Sequence, residues 1–154
     1  MFHIEKMTEE MRGEVFPMVQ AFYHSDAVCH PVEAMVLEQT FKDAVGPDSV
    51  LQGYVLMEED TIIGFAYTTI YYACEVGGRC LMFEELYLKE EARGKGYGTM
   101  FFEKIIEQHP EVRRFRLEVS RANKDAVRLY ERLGFTFLEY DQMIKDRNME
   151  NSLS

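Results

Sequence analysis

The chain has 154 residues, a length typical of one folded domain. Its hydrophobic content of 47% and charged content of 29% are ordinary for a folded protein, and no apolar run reaches the length of a membrane span. Acidic side chains outnumber basic ones by 27 to 17, which gives a net charge of −10. This balance argues against nucleic acid as a partner and favours a cationic or amine-bearing one. Residues 1–10 lack the plan of a signal peptide, so we expect a cytoplasmic protein.

The cysteines predict neither a disulfide framework nor a metal site. Their number is odd (Cys29, Cys74 and Cys80) and no Cys-x-x-Cys occurs, so we expect buried, reduced thiols. Residues 24–30 contain two histidines, an aspartate and a cysteine, but their spacing fits no metal motif. We therefore predict no metal.

In chain order, the first half of the sequence predicts two helices among strands. Residues 2–6 form a short strand, residues 8–23 a helix with one apolar side, and residues 24–30 a loop. A second helix covers residues 32–45 behind Pro31. Strands are predicted at 50–58, 62–75 and 79–88, with Gly77-Gly78 supplying a tight hairpin.

The second half alternates helix and strand. We predict a helix from about Tyr97 to residue 108, a strand at 112–119, and a helix at 123–133 closed by Gly134. Residues 135–144 complete the sheet as one long strand or a strand pair, and residues 146–154 form a polar tail. The whole is a mixed α/β (α+β) fold with a central, mostly antiparallel sheet of six to seven strands and helices on both faces.

The turn between residues 88 and 99 is the most informative stretch of the chain. A strand runs into Arg93, then into glycines at positions 94, 96 and 98, and then into a helix. Amide groups there and the positive end of the helix suit a phosphate or pyrophosphate. The spacing fits neither a dinucleotide fingerprint nor a Walker loop. A plain strand-to-helix turn is the alternative.

A second block lies downstream. Asn123 and Tyr130 are seven residues apart, which places them on one face of a helix. Taken alone, Asn123 suits a helix N-cap and Tyr130 a core tyrosine.

Together the two blocks resemble the GNAT superfamily of acyl-CoA-dependent N-acetyltransferases. Arg93-Gly94-Lys95-Gly96-Tyr97-Gly98 is similar to that family's Arg/Gln-x-x-Gly-x-Gly/Ala loop. Residues 123–135 are similar to its Asn-x-x-Ala-x-x-Leu-Tyr-x-x-x-Gly-Phe helix. The resemblance implies a GNAT domain over residues 1–145 that takes acetyl-CoA or coenzyme A as co-substrate.

The resemblance also implies which residues bind the coenzyme. Amides around the glycine loop, aided by Arg93, would hold the pyrophosphate, and strand 86–88 would pair with the pantetheine arm. The amide of Leu86 would donate to the thioester carbonyl. Asn123 would contact the arm and Tyr130 would lie beside the sulfur. The implied cofactor-binding residues are Leu86, Tyr87, Leu88, Arg93, Gly94, Lys95, Gly96, Tyr97, Gly98, Thr99, Asn123, Ala126 and Tyr130.

Acid–base catalysis then calls for two more roles. A tyrosine hydroxyl can protonate the departing thiolate, and Tyr130 is the candidate. Glu84 and Glu85 are adjacent on one strand, so strict alternation turns at least one carboxylate toward the core. Glu84, in line with Leu86 and Leu88, is the first candidate base and Glu85 the second. Both can instead be solvated or ion-paired residues.

Acceptor contacts are expected from the connection after the first helix, through Tyr23, His24 and Asp26, together with Glu84. Tyr71, Tyr72 and Glu75 are weaker candidates. The predicted function is acetylation of a small cationic amine of polyamine or aminoglycoside type, without nucleic acid or membrane. The alternatives are acetylation of a protein N-terminus or lysine, and a non-catalytic CoA-binding sensor. The ten methionines fit a homodimer contact and core packing equally well.

Overall fold

The computed structural model describes residues 1–28, 30–47 and 49–147. These form a five-stranded sheet in the order β1 to β5. The strands are β1 (Phe2–Lys6), β2 (Leu51–Glu58), β3 (Thr61–Ala73), β4 (Gly78–Leu88) and β5 (Val112–Leu117). Neighbours from β1 to β4 pair antiparallel, and β5 pairs parallel to β4. The predicted mixed, mostly antiparallel sheet is therefore confirmed.

Two helices cover each face of the sheet. On one face lie α1 (Arg12–Tyr23) and α2 (Ala34–Val45), whose buried Val15, Val19 and Phe41 pack with Val55 and Phe65 of the sheet. On the other face lie α3 (Tyr97–Gln108) and α4 (Lys124–Arg132). The apolar side of α3 (Phe101, Phe102 and Ile105) is almost fully buried against Leu81 and Phe83 of β4. Burial of these two faces provides the main driving force for the fold.

The predicted strand or strand pair at residues 135–144 is wrong, since the structure has no strand beyond β5 in the described part of the chain. Phe135 packs against Tyr130 of α4, the Arg121 guanidinium lies 3.9 Å from the Phe137 ring centre, and the Tyr140 hydroxyl donates to Glu75. Adjacent Phe137 and Leu138 interrupt the alternation that a half-buried strand requires. Side-chain contacts, and not main-chain pairing with a neighbouring strand, hold this segment, so the described sheet has five strands instead of six or seven.

The cysteine prediction is only half right. Cys80 is buried, as expected, but Cys74 is exposed in the short turn before β4. Cys29 and most of the predicted polar tail lie outside the described residues. Within residues 1–28, 30–47 and 49–147, no helix has the length and apolar character to cross a membrane.

Candidate functional site

Strands β4 and β5 separate halfway along β4. Their pairing ends at Phe83 opposite Leu117, whereas β4 continues beside β3 to Leu88. The amide of Lys89 donates to the carbonyl of Ile63 at 2.9 Å. This hydrogen bond shows which residues of β4 direct their main-chain groups toward β3 and which direct them away. Main-chain groups alternate in an antiparallel ladder, so those of Leu86 and Leu88 point away from β3, toward the gap. The gap therefore offers an open strand edge.

A β-bulge interrupts β4 at the start of this gap. Tyr67 of β3 lies opposite Glu85, but the next residue of β3, Thr68, lies opposite Phe83, so Glu84 is the extra residue. Phe83 and Leu86 both pack on the α3 side of the sheet. Glu84 and Glu85 consequently both face the α1 side. The expectation that Glu84 lies in line with Leu86 and Leu88 was wrong, because it assumed unbroken alternation.

Glu85 is the more deeply buried of the two glutamates. Its Oε2 accepts a hydrogen bond of 2.8 Å from the Tyr23 hydroxyl of α1. Burial raises the pKa of Glu85 to about 7, the Tyr23 hydrogen bond opposes that rise, and the charge of Glu84 adds to it. The pKa of the Tyr23 hydroxyl is raised in turn, by burial and then by Glu85. Glu85 thus titrates near neutrality, as a general base requires.

Glu84 is exposed beside the same gap. Its pKa is raised by partial loss of solvent and then by the nearby charge of Glu118, which follows β5. Three carboxylates therefore lie near the point where β4 and β5 separate. Neither Glu118 nor Tyr67 was singled out from the sequence, because the parallel pairing of β5 with β4 and the β3–β4 register that sets Tyr67 opposite Glu85 are tertiary features.

The glycine turn lies beyond the end of β4. Gly94 and Gly96 have φ angles of 75° and 82°, a region that side-chain-bearing residues rarely adopt. Among the described residues, no main-chain or side-chain acceptor is found for the six amides of residues 94–99. The last three of these amides, at residues 97–99, belong to the first turn of α3. The first amides of a helix have no partner within the helix. The turn therefore presents a run of free donors at a helix N-terminus.

Arg93 and Tyr97 hold this turn in place. The Arg93 Nε donates to the carbonyl of Leu88 at 2.9 Å, and the guanidinium lies 5.4 Å from the centre of the Tyr87 ring. The Tyr97 hydroxyl donates to Glu58, and its ring stacks on Phe2 at 4.9 Å. These contacts attach the amide-rich turn to β1, β2 and β4.

Helix α4 presents Asn123 and Tyr130. The Oδ1 of Asn123 accepts from the amide of Ala126 at 3.3 Å, so Asn123 does cap the helix. The half-buried ring of Tyr130 packs against Phe102 and Phe135 with ring centres 5.6 and 6.1 Å away, and burial raises its pKa. Tyr130 also lines a cavity of about 650 Å³ between β5, α4 and residues 134–142. The structural roles considered for both residues are therefore present.

The candidate acceptor residues are only partly gathered at this site. Tyr23 reaches Glu85, and Asp26 lines a second cavity with Asn123 and Arg128 at the start of α4. His24, exposed after α1, makes no side-chain hydrogen bond with the described residues.

Tyr71 and Glu75 pair with arginines of β5 that line the cavity beside Tyr130. The Tyr71 hydroxyl accepts from Arg116 at 2.8 Å, and the Glu75 carboxylate pairs with Arg114 at 2.8 Å. Tyr72, their neighbour on β3, is 65% exposed. Among the residues that the structure describes, no three His, Cys, Asp or Glu side chains converge as a metal site would require.

Comparison with known proteins identifies a family. A model described as the acetyltransferase (GNAT) family matches residues 16–135. Comparison with curated proteins gives no match.

Among solved structures, similarity extends over nearly the whole chain at low identity. A ribosomal-protein-alanine N-acetyltransferase from Brucella melitensis biovar Abortus 2308 has a TM-score of 0.76 and 16% identity, covering 95% of this chain and 100% of its own. A possible acetyltransferase from Clostridium difficile 630 has a TM-score of 0.77 and 17% identity, covering 95% and 97%. AAC(6')-Iy, solved with the bisubstrate analogue CoA-S-monomethyl-acetylneamine, has a TM-score of 0.76 and 15% identity, covering 96% and 99%. At these identities the likeness concerns the fold.

Proposed function

The chain belongs to the GNAT acetyltransferase family and is an acetyl-CoA-dependent N-acetyltransferase, and we propose that its acceptor is an amine of a small cationic molecule, of polyamine or aminoglycoside type. The observation that carries this proposal is the buried carboxylate of Glu85 at the gap between β4 and β5, with Glu84 and Glu118 nearby. A cationic amine is attracted to such a site, and its proton finds a base there.

Coenzyme binding follows from the open main-chain groups. The amides of residues 94–99 bind the pyrophosphate, with the positive end of α3 behind them. The pantetheine arm lies in the gap and pairs, as an added strand would, with the main chain of Leu86 and with the amide of Leu88, whose carbonyl already accepts from Arg93. Tyr87 contributes through its ring beneath Arg93, because its own main chain faces β3. Asn123 and Ala126 at the start of α4 border the arm from the other side.

Glu85 acts as the base in this scheme, in preference to the more exposed Glu84. An alkylammonium ion has a pKa near 10, so it must lose a proton before its nitrogen can attack. The carboxylate of Glu85 takes that proton, and the neutral amine attacks the acetyl carbon directly in a ternary complex. The Leu86 amide points toward the gap and stabilises the charge that develops on the thioester oxygen.

Tyr130 completes the transfer. As the tetrahedral intermediate collapses, the carbon–sulfur bond breaks and the thiolate of coenzyme A takes the hydroxyl proton of Tyr130. The proton held by Glu85 and the one remaining on the nitrogen leave to solvent, which also reprotonates Tyr130. The products are an N-acetylated amine and coenzyme A.

Tyr23, Asp26 and His24 border the acceptor side in this proposal. Tyr23 is the best supported of the three, because its hydroxyl fixes one oxygen of Glu85. A peptide N-terminus is the second candidate acceptor, since the ribosomal-protein-alanine N-acetyltransferase shares this fold over 95% of the chain. A homodimer is compatible with either acceptor.

The test is thiol release from acetyl-CoA with three sets of acceptors: polyamines and aminoglycosides, peptides that begin with alanine, and N-acetylated versions of each amine. We expect turnover with the first set and none with blocked amines. Turnover with peptides alone would replace the proposed acceptor by a protein N-terminus. Binding of acetyl-CoA without turnover for any amine would favour a CoA-binding sensor.

A further inference from the structure

Two buried polar atoms between α1 and the sheet have no hydrogen-bond partner among the described residues. They are the hydroxyl oxygen of Tyr67 and the Oε1 of Glu85. Tyr67 is only 1% exposed, so bulk solvent does not reach its hydroxyl. Native proteins rarely leave such groups unsatisfied, because the lost hydration is not replaced. Each atom therefore calls for a partner.

The two atoms belong to facing residues. Tyr67 and Glu85 lie directly opposite each other on β3 and β4, and such pairs share a face with Cβ atoms roughly 5 Å apart. The other oxygen of Glu85 already accepts from Tyr23 at 2.8 Å. Burial and the charge of Glu85 both raise the pKa of Tyr67, which agrees with this proximity.

We infer that Tyr67 is a positioning residue for Glu85, and that the Tyr67 hydroxyl and Glu85 Oε1 share one buried water molecule. The Tyr67 hydroxyl donates to the water, and the water donates to Oε1. A water with such polar partners is a common structural element of protein interiors. Together with the Tyr23 hydrogen bond, this fixes both oxygens of the carboxylate between α1 and β3.

The inference rests on the proposed function for its catalytic consequence. The Oε1 atom is out of contact with solvent, so an ammonium group does not reach it directly. The water gives its proton to Oε1 and receives one from the substrate ammonium, so the relay leaves the water unchanged. Tyr23 from α1, Tyr67 from β3, and the carboxylates of Glu84 and Glu118 are the titratable groups that surround this relay.

The test variant is Tyr67→Phe, which removes only the hydroxyl. Its matched control is Tyr54→Phe, a half-buried tyrosine of β2 that packs on the opposite face of the sheet. Both variants are measured without coenzyme, so failure of the proposed function leaves the test intact. The two readouts are the Tm and the titration midpoint of Glu85, followed by ¹³C NMR of labelled glutamate.

We expect Tyr67→Phe to lower the Tm by about 2–4 °C, which corresponds to one lost hydrogen bond in a chain of this size. We also expect it to move the Glu85 midpoint to higher pH, because the ionised carboxylate loses a donor. Tyr54→Phe should leave that midpoint unchanged. If the Tyr67 hydroxyl has no partner, phenylalanine will raise the Tm or leave it unchanged. That result, or an unmoved Glu85 midpoint, would overturn the inference.

Discussion

Replacing Glu85 with glutamine should stabilise the protein while removing its base. The pKa of Glu85 rises from 4.5 to about 7, a difference of about 2.5 pH units. At 1.36 kcal/mol per pH unit, the ionised carboxylate lowers the free energy of unfolding by about 3 kcal/mol, an upper bound because the side chain is not fully buried. The folded state keeps a proton that the unfolded chain releases between about pH 4.5 and pH 7. The contribution of Glu85 to stability therefore falls as the pH rises through that window and is constant above it.

Glutamine keeps an oxygen that can accept from Tyr23, and it carries no charge at any pH. Urea unfolding should therefore give Glu85→Gln an advantage of about 3 kcal/mol at pH 8.5 and of about 1 kcal/mol or less at pH 5. Turnover should fall by about 100-fold or more, since a positioned base contributes at least that much. Glu84→Gln is the control, and its smaller burial predicts a smaller pH-dependent change. A stability difference for Glu85→Gln that stays constant from pH 5 to pH 8.5 would refute this reasoning.

The remaining predictions concern the acid and the glycine turn. Tyr130→Phe should lower kcat by about 100-fold or more and leave the Kd for acetyl-CoA unchanged, because the ring still packs on Phe102 and Phe135. An unchanged kcat at saturating acetyl-CoA would assign Tyr130 to packing alone. Gly96→Ala and Gly77→Ala both place a side chain at a positive φ, 82° and 63°, and should each cost about 1 kcal/mol of stability. Only Gly96→Ala should also weaken acetyl-CoA binding, by about tenfold or about 1.4 kcal/mol, whereas equal Kd values for both variants would contradict a role of the turn in binding.

The sequence predicts the sheet and the glycine turn because both depend on local signals. Strand β1 is found where it was predicted, at Phe2–Lys6. The helix after the glycine turn begins at Tyr97, where the loop residues require φ angles that glycine supplies. Period-2 patterns and turn glycines are readable without knowledge of the tertiary fold.

The bulge at Glu84 could not be predicted in the same way. The alternation of side chains along one strand does not reveal an extra residue in that strand. The bulge is recognised only from the pairing of two strands, in which Glu85 and Phe83 lie opposite consecutive residues of β3. The choice of Glu84 over Glu85 as the first candidate base depended on that register. The hydrogen bond from Tyr23 to Glu85 spans 62 positions of sequence and follows from the packing of α1 on the sheet.

The segment after Gly134 shows the opposite error. Its aromatic residues have high strand propensity, but propensity reflects a fit to a neighbouring strand, and Phe135 packs on α4 instead. The Tyr140 hydroxyl is likewise bound by Glu75. Tertiary side-chain contacts thus override a local pattern there.

Titration calorimetry with three ligands tests the central claim, that the free amides of residues 94–99 bind the diphosphate of the coenzyme. The ligands are acetyl-CoA, acetyl-dephospho-CoA, which keeps the diphosphate, and S-acetylpantetheine, which lacks it. We predict similar affinities for the first two and binding weaker by about 100-fold, or about 2.7 kcal/mol, for S-acetylpantetheine. Equal affinities for acetyl-CoA and S-acetylpantetheine, or no heat of binding from millimolar acetyl-CoA, would contradict the claim.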